Sequence, residues 1–440
     1  MKHQKFSAKV LVLITVLVTL ATIVQAQENQ NGAKRIVIRA GRLLNVRTGQ
    51  ILHDQDIIVE DGLIKSVGKA SAAQESGTVI NLPNATVLPG LIDAHDHITG
   101  DPSISDVDKI EMSNARRALK GARNARVTLF AGFTTIRNVG ADGYPDVALR
   151  DAINDGDVIG PHILAAGPAI TIDGGSCDNI RMAHQYHYTS PGVADGVEGV
   201  QHKVREVIKY GADVIKMCAT GGLLSPTNPG ALEYSMPEMQ MIVAEAHRHG
   251  RRVAAHAHGA EGIRLASEAG VDSIEHGFLI DDAAIATMKK NGTYLVPTAY
   301  VIKWIPKHEA EMGLSPDQAK RLEAILNEAK GNLRKAFAAG VKVAFGTDAA
   351  VFPHGENARE FSIYVELGMT SIHAIQTATI NGADLLGLKD KTGAIEPGKW
   401  ADIIAVDGDP TADVRTLEHI KFVMKSGTVY KNEYAAPAAE

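Results

Sequence analysis

Cysteine is scarce in this 440-residue chain, which contains only Cys177 and Cys218. Two cysteines do not build a disulfide framework, and a chain of this length has enough core without one. Whether the two pair is left open. Aromatic residues are also few, at 5% of the chain, whereas 42 glycines suit a fold with many tight turns between strands and helices.

The chain has no excess of positive charge. The first 26 residues contain three lysines and no acidic residue, so the rest has 42 basic against 51 acidic residues and a net charge of about −9. This balance gives no reason to expect nucleic acid or an anionic membrane as a partner. A small molecule is the expected partner, and the oligomeric state, a homo-oligomer included, is left open.

The apolar run at residues 10–24 is shorter than the roughly 20 residues needed to cross a bilayer. It follows a segment with three lysines and leads into a small-residue cleavage site at 24–26, so residues 1–26 are predicted to be a cleaved signal peptide. We therefore expect an exported protein, periplasmic or secreted, without a stable membrane anchor. An uncleaved anchor is the alternative. No cysteine follows the cleavage site, so the usual lipid attachment point is missing.

Strand-like and helix-like segments alternate between residues 88 and 389, which is typical of parallel βαβ units. No Gly-x-Gly-x-x-Gly fingerprint follows the first strand, so an open dinucleotide-binding sheet is disfavoured. The eight strand candidates are residues 87–97, 133–139, 162–167, 213–219, 252–256, 272–276, 293–297 and 341–348. Eight such units predict an α/β fold, a catalytic (β/α)8 TIM barrel whose functional side chains follow the C-terminal ends of the strands.

The two ends of the chain, residues 33–87 and 390–434, hold short strands and turns such as Asp61-Gly62. Neither end has enough strands to be stable alone. We predict that they pair into one small β-sandwich domain beside the barrel. Within the barrel, Ser235 and Glu238 form a capping-box pattern that starts a helix, and Gly270 ends the next helix.

His95 and His97 end the first barrel strand. Alternate side chains of a strand share a face, so the two imidazoles project together and can bind one metal ion. Such a pair also occurs by chance. His256, His276 and Asp348 end strands five, six and eight, although each alone also fits a structural histidine or a helix N-cap.

Lys216 lies in the mostly apolar strand at residues 212–218. A buried lysine needs a partner or a chemical modification, and burial lowers its pKa enough for it to react as a free amine. One product is a carbamate with CO2, an anionic group able to bridge two metal ions. A lysine that reaches solvent at the strand end is the alternative. His258 shares a strand face with His256, and the spacing does not decide which of them binds.

Together these residues predict a metal centre at the barrel mouth. Nitrogen and oxygen ligands without thiolate suit zinc or a similar divalent ion. Two ions bridged by an anion and a hydroxide form a strong nucleophile at neutral pH and polarise a carbonyl group.

Motifs along nearly the whole mature chain carry a family resemblance, at residues 89–97, 132–137, 211–216, 256–259, 273–277, 346–348 and 393–402. On these motifs the chain resembles the metal-dependent amidohydrolase superfamily. Within it, the chain is similar to the Xaa-Pro dipeptidase and amino-acid carboxypeptidase group and to the ochratoxin-hydrolysing amidases. The resemblance implies a hydrolase of carbon–nitrogen bonds. Its substrate would be a dipeptide, Xaa-Pro or related, or an N-acyl amino acid, cleaved by attack of metal-bound hydroxide.

The resemblance also implies roles for the strand-end residues. The implied ligands are, for one ion, His95, His97 and Asp348 and, for the other, His256 and His276, bridged by the carbamate of Lys216. Asp348 would take the proton of the attacking hydroxide and deliver it to the leaving amine. This favours His256 over His258 as the ligand, and His258 becomes a candidate for substrate binding.

Two further residues are assigned to substrate binding. Tyr234 follows the lysine strand, where similar enzymes place a tyrosine against the substrate carboxylate, although packing beside the capping box is the alternative. The second is Arg137 of the second strand. The next residue, Asn138, stands where relatives often carry aspartate, so a role of this position in supporting the site is in doubt. The excursion at 171–199 is too long for an ordinary turn and predicts a lid or a solvated loop, with the candidate residues Arg181, His184 and His187.

Competing functions are a mononuclear deaminase or imidazolonepropionase-like enzyme, a lactone-cleaving hydrolase, and a non-catalytic binding protein on the same fold. Lys216 argues against the mononuclear enzymes, because those relatives lack a lysine on strand four. The intact ligand set argues against the binding protein. Since the same hydroxide attacks esters, the lactonase stays open, as do the released amino acid, the acyl group and the metal.

Overall fold

The computed structural model describes residues 35–70, 77–103, 106–178 and 183–435. The predicted signal peptide at 1–26 and Arg181 lie outside these ranges. Among the described residues, no helix has the length and apolar character required to cross a membrane.

The strands of the described chain are β1 Ile36–Asn45, β2 Gln50–Glu60, β3 Leu63–Lys69, β4 Thr78–Pro89, β5 Leu91–Asp96, β6 Phe133–Asn138, β7 His162–Ala165, β8 Val214–Cys218, β9 Arg252–Gly259, β10 Ser273–Leu279, β11 Tyr294–Val296, β12 Ile403–Asp407, β13 Phe422–Lys425 and β14 Thr428–Asn432.

The α-helices are α1 Asp106–Glu111, α2 Asn114–Phe130, α3 Pro145–Asn154, α4 Gly196–Lys209, α5 Met236–Arg248, α6 Ala260–Ala269, α7 Asp282–Asn291, α8 Val301–His308, α9 Pro316–Ala338, α10 Arg359–Glu366, α11 Ser371–Gln376 and α12 Gly382–Leu385. Short 3-10 helices lie at His184–Tyr186 and Val414–Glu418, and a π-helical turn at Thr377–Asn381 joins α11 to α12.

Both ends of the chain contribute to one sheet, in the order β14-β13-β12-β4-β1-β2-β3. Central strand β4 pairs in parallel with β1 and antiparallel with β12. At the far edge, Leu63 of β3 bridges Trp400, just before β12, so the sheet curls back on itself. Its inner face buries a separate apolar core that includes Ile38, Val87 and Phe422. The predicted Asp61-Gly62 turn joins β2 and β3, with both residues at positive φ.

The predicted barrel is confirmed. Strands β5-β6-β7 and β8-β9-β10-β11 form two parallel sheets among the described residues. Single parallel bridges close the ring at Ile170–Met217, Leu295–Val343 and Asp96–Ala349. The last predicted strand, residues 341–348, therefore joins its neighbours at isolated bridges and not through a continuous ladder.

One strand prediction is corrected at Gly90. The candidate at 87–97 is two strands, because β4 ends in the terminal sheet at Pro89 and β5 starts in the barrel at Leu91. A Cβ at Gly90 would lie 2.1 Å from Thr134 Oγ1, so the crossing point has no room for a side chain. The chain thus passes from one sheet to the other five residues before His95.

Two predicted helix boundaries are confirmed. Helix α5 begins with the capping box, in which the Ser235 backbone N–H donates to Glu238 at 2.9 Å. Helix α6 ends at Gly270 with φ of 97°, the left-handed conformation that glycine adopts without a Cβ clash.

Candidate metal centre

The barrel strands bring the predicted ligands together at one end. His95 lies in β5 and His97 directly after it, Lys216 in β8, His256 and His258 in β9, His276 in β10, and Asp348 after the eighth segment. The His276 ring lies at the centre of the group. Its centroid is 4.8 Å from that of His95, 4.7 Å from that of His256 and 4.9 Å from that of His258.

Two sets of donor atoms are close enough to surround a metal ion. The ligand atoms of His95, His276 and Asp348 lie within 4.8 Å of one another, and so do those of His256, His258 and His276. His97 joins the first set, since its Nε2 is 3.3 Å from Asp348 Oδ1, and His95 Nε2 is 3.4 Å from the same oxygen. All donors are nitrogen or oxygen, which suits zinc or a similar ion.

The outer ring nitrogens of three histidines already have protein partners. His95 Nδ1 is 2.7 Å from Glu275 Oε2, His276 Nδ1 is 2.8 Å from Thr298 Oγ1, and His97 Nδ1 is 3.3 Å from the Gly140 carbonyl. Partners on Nδ1 fix ring orientation and leave Nε2 for a metal, as at most histidine metal sites. The residues present therefore fit a metal centre.

Lys216 is buried, with 3% of its surface exposed, in the middle of β8. Burial lowers its pKa to about 8, against the opposing effect of the Glu275 and Asp348 carboxylates. A larger share of free amine is then present at neutral pH than for an ordinary lysine, which favours reaction with CO2. The alternative of a lysine that reaches solvent is thereby excluded.

The structure does not choose between His256 and His258, because both approach His276. Burial lowers the pKa of both, that of His258 to about 3, so both are neutral at pH 7. His256 Nε2 lies 3.3 Å from the Gly221 carbonyl. Within the described residues, the buried His258 Nδ1 has no hydrogen-bond partner, and its ring stacks on His276.

Two of the expected ligands have unusual backbone conformations. His276 has φ of 71° and Asp348 has φ of 61°, in the left-handed region that non-glycine residues rarely adopt. Such strain persists only where the surrounding contacts fix it, and it concentrates at functional sites.

Arg137 does not face the cleft, which corrects its assignment to substrate binding. The side chain is 1% exposed, and its guanidinium donates to the Ala94 carbonyl, to Ser273 Oγ at 3.0 Å and to Glu275 Oε1 at 2.8 Å. Arg137 therefore supports Glu275, which in turn contacts the metal-centre residue His95. The sequence interpretation had missed Glu275, whose only sequence signal is an acidic residue inside an apolar strand.

Tyr234 is likewise buried, directly before the capping box of α5. It is 1% exposed, and its hydroxyl donates to the Ala194 carbonyl at 2.9 Å. These contacts fit the packing alternative, and a substrate contact of Tyr234 stays a prediction. Asn138, the residue after Arg137, has a structural role. Its amide oxygen accepts from Ile98 N–H at 2.7 Å, and its amide nitrogen donates to Asp146 at 2.9 Å.

The two cysteines form a disulfide between Cys177, in the excursion at 171–199, and Cys218 at the end of β8. Beside it, Ser176 Oγ donates to the Thr220 carbonyl at 3.1 Å, and Glu233 accepts from Ser176 N–H. These contacts hold the start of the excursion against the lysine strand. Farther along, His184 and His187 lie exposed at a 3-10 helix and do not reach the metal centre.

A match to the amidohydrolase family covers residues 86–431, which include the barrel and the part of the terminal sheet that the C-terminal end of the chain supplies. The chain belongs to the amidohydrolase family. This amidohydrolase is 33% identical to ochratoxinase from Aspergillus niger over 93% of this chain and 89% of that protein.

Solved structures agree with the sequence comparison. A Xaa-Pro dipeptidase with bound methionine superposes on this amidohydrolase with a TM-score of 0.86 and 38% identity, over 90% of this chain and 100% of that one. A prolidase in complex with N-methylphosphonate-L-proline gives a TM-score of 0.82 and 30% identity, over 91% and 100%. The predicted family, fold class and hydrolase class are confirmed.

Proposed function

We propose that this amidohydrolase is a binuclear metal-dependent enzyme that cleaves the amide bond of a dipeptide, Xaa-Pro or related, or of an N-acyl amino acid. The observation that carries the proposal is the position of Lys216. It is buried beside two donor sets that share His276, where one anionic group can contact two ions. A mononuclear centre gives no reason to bury a lysine there.

The residues divide between two ion positions. His95, His97 and Asp348 would hold one ion, and His276 with His256 the other. Lys216 would hold the bridge, because its free amine adds to the carbon of CO2, an electron pair of one C=O bond moves to oxygen, and the ammonium proton passes to solvent. When bound, the ions would supply an acidified water and polarise the scissile carbonyl.

Asp348 is the group that moves the proton. Burial acts to raise its pKa, but the hydrogen bonds and charges of His95 and His97 hold the pKa well below its usual range. The carboxylate is therefore an acceptor at neutral pH, and it accepts the proton of the attacking water. It then delivers that proton to the departing amine nitrogen, which leaves as a neutral amine.

The substrate class rests on the relatives. One relative is named as an Xaa-Pro dipeptidase, one as a prolidase that binds a proline derivative, and one as an ochratoxinase. Arg137 and Tyr234 both bond to protein groups, so the proposal does not rest on either of them as the carboxylate-binding group. His258, which borders the centre and has an unpartnered Nδ1, is the substrate contact that we retain.

The test is elemental analysis of the purified protein beside a screen of Xaa-Pro dipeptides, other dipeptides, N-acyl amino acids and lactones. About two divalent ions per chain and turnover of one amide class are expected. One ion with deaminase activity, or turnover of lactones alone, would overturn the proposal. Metal-free protein without activity would support a binding protein instead.

The bridge is tested through Lys216. Lys216→Ala should lose one or both ions and at least about 100-fold in kcat/KM, whereas Lys65→Ala, at an exposed lysine of β3, should match the wild type. Metal-depleted wild type should regain activity with zinc and bicarbonate but not with zinc in CO2-free buffer. Equal recovery without bicarbonate would exclude the carbamate.

We also propose that the enzyme is exported. The leader pattern of residues 1–26 and the Cys177–Cys218 disulfide support this, since disulfides persist in oxidising compartments. Amino-terminal sequencing of the protein recovered from cell fractions should start at Gln27. Recovery of the uncleaved chain from the cytosol would contradict export.

A further inference from the structure

We infer that Thr347, together with Asp93 and Asn357, is a positioning unit that holds Asp348 in its left-handed conformation against His95. This inference deepens the proposed function and rests on it, because it concerns the residue that transfers the proton. All three side chains are fully buried and hydrogen-bond to one another.

The Thr347 hydroxyl lies at the centre of the unit. It donates to Asp93 Oδ2 at 2.6 Å and accepts from Ala349 N–H at 3.2 Å. The second bond closes a turn around Asp348, whose φ of 61° puts it in the left-handed region. Side-chain closure of this kind stabilises a backbone that would otherwise relax to negative φ.

Asp93 ties the turn to the first barrel strand. Its Oδ1 accepts from His95 N–H at 3.1 Å and from Thr347 N–H at 3.2 Å, so one carboxylate holds both ligand-bearing segments. The His95 carbonyl completes the link by accepting from Asp348 N–H at 2.8 Å. These hydrogen bonds therefore fix the position of His95 relative to Asp348.

Asn357 closes the unit from the loop after the eighth segment. Its Nδ2 donates to Asp93 Oδ2 at 2.8 Å and lies 3.3 Å from Thr347 Oγ1. This second donor to Asp93 Oδ2 adds to the hydrogen bonds that a buried carboxylate needs. All three side chains thus act on Asp348 through Thr347.

The deciding experiment compares Thr347→Val with Thr347→Ser. Valine keeps the volume and removes the hydroxyl, whereas serine keeps the hydroxyl. For Thr347→Val we expect kcat to fall about 10- to 100-fold with KM within about 2-fold, and the zinc affinity of the metal-depleted protein to fall about 10-fold. Thr347→Ser should recover most of both. Equal kcat and zinc affinity in Thr347→Val and wild type would overturn the inference.

Thr379→Val is the matched control. Thr379 is buried like Thr347, but its hydroxyl donates to the backbone carbonyl of Ile375 at 2.8 Å, outside the unit. Its variant should lose stability without a change in kcat. A similar kcat loss in Thr379→Val would show that a general loss of packing, and not positioning, is responsible.

Asn357→Ala gives a second route if Thr347→Val does not fold. It should lower kcat and zinc affinity in the same direction by a smaller factor, and wild-type values for both would overturn the inference. Zinc affinity is measured by competition with a chromophoric chelator, independently of turnover. A wild type without amide hydrolysis would refute the proposed function, whereas the zinc titration would still test the positioning unit.

Discussion

At the scale of single residues, the buried acid Glu275 determines how the site is supported. Its two carboxylate oxygens accept from Arg137 and contact His95 Nδ1. Burial acts to raise its pKa, but Arg137 and His95 lower the pKa to about 2, so Glu275 is ionised at every working pH. The negative charge at this position orients the His95 ring and makes its other nitrogen a better metal ligand.

We predict that Glu275→Gln weakens both metal binding and folding. Loss of the charge should lower zinc affinity and kcat/KM by about 10- to 100-fold. It also leaves Arg137 buried without its counter-ion, which costs about 3–5 kcal/mol of unfolding free energy. Chelator competition and urea denaturation measure the two effects, with Glu323→Gln, at an exposed acid of α9, as the control. Wild-type zinc affinity would contradict this role.

The sequence alone supports the metal-centre residues but not their partners. His95, His276 and Asp348 could be predicted because strand ends in a parallel barrel meet at one face. The partner of Arg137 could not, since Glu275 is 138 residues away and no local pattern links them. The hydrogen bond from the Tyr234 hydroxyl to the Ala194 carbonyl could not be predicted either, because the two residues are 40 positions apart. The sequence locates the loop of Tyr234 but not this partner.

At the scale of elements, the disulfide joins a long excursion to the strand that carries Lys216. Forty-one residues separate Cys177 from Cys218, so the crosslink closes a large loop. A crosslink over such a loop restricts the unfolded chain and stabilises the fold, typically by about 2–4 kcal/mol. The excursion was predicted to be a lid or a solvated loop, and only its first part is explained by these contacts.

We predict that reduction loosens this segment. Treatment with a phosphine reductant should lower the melting temperature by several degrees and open residues 171–178 to limited proteolysis. The double variant Cys177→Ser, Cys218→Ser should show the same properties and no further response to reductant. If the reduced wild type melts at the same temperature as the oxidised protein, the disulfide does not stabilise the fold.

Helices α4 and α5 are joined by an ion-pair group centred on Glu245. Its carboxylate accepts from Arg205 of α4 at 2.7 Å and from Arg248 of α5 at 2.7 Å. The hydrogen bond from Arg205 and these charges lower the pKa of Glu245 to about 2. Because folding lowers this pKa, the pair stabilises the protein above the unfolded pKa near 4.5, and the stabilisation is lost as the pH falls toward 2.

We therefore predict a pH-dependent effect for Glu245→Gln. The variant should lose about 1 kcal/mol of unfolding free energy at pH 7, because its arginine partners are half exposed and water screens the pair. The difference from wild type should shrink between pH 4.5 and pH 2 and also in 1 M salt. Urea denaturation at several pH values measures it. If the difference in unfolding free energy between the variant and wild type does not change with pH, the loss comes from packing and not from the ion pairs.

At the scale of the whole molecule, the sheet made by both chain ends and the barrel are continuous. Strand β4 of the sheet runs into β5 of the barrel through Gly90, whose N–H donates to the Asp402 carbonyl at 2.8 Å. The sequence pattern predicts both the terminal sheet and the barrel. It does not predict the passage from β4 to β5 at Gly90, because the apolar run at 87–97 has the pattern of a single strand. Periodicity likewise predicts a regular strand for the last barrel segment, which instead pairs with its neighbours at isolated bridges.

From this continuity we predict that the proposed composite domain, residues 33–87 and 390–434, is necessary for the metal centre. Removal of residues 403–440 deletes β12, which pairs with residues 85–89 of β4, and uncovers the apolar core that includes Val87. Exposed apolar surface and an unpaired strand edge favour aggregation. The truncated chain should therefore be insoluble, whereas a chain that lacks only residues 436–440 should purify with wild-type metal content. A soluble truncated protein that still binds two ions would show that the barrel assembles its metal centre alone, and the position of β5 would then depend on barrel neighbours such as Thr134 and not on β4.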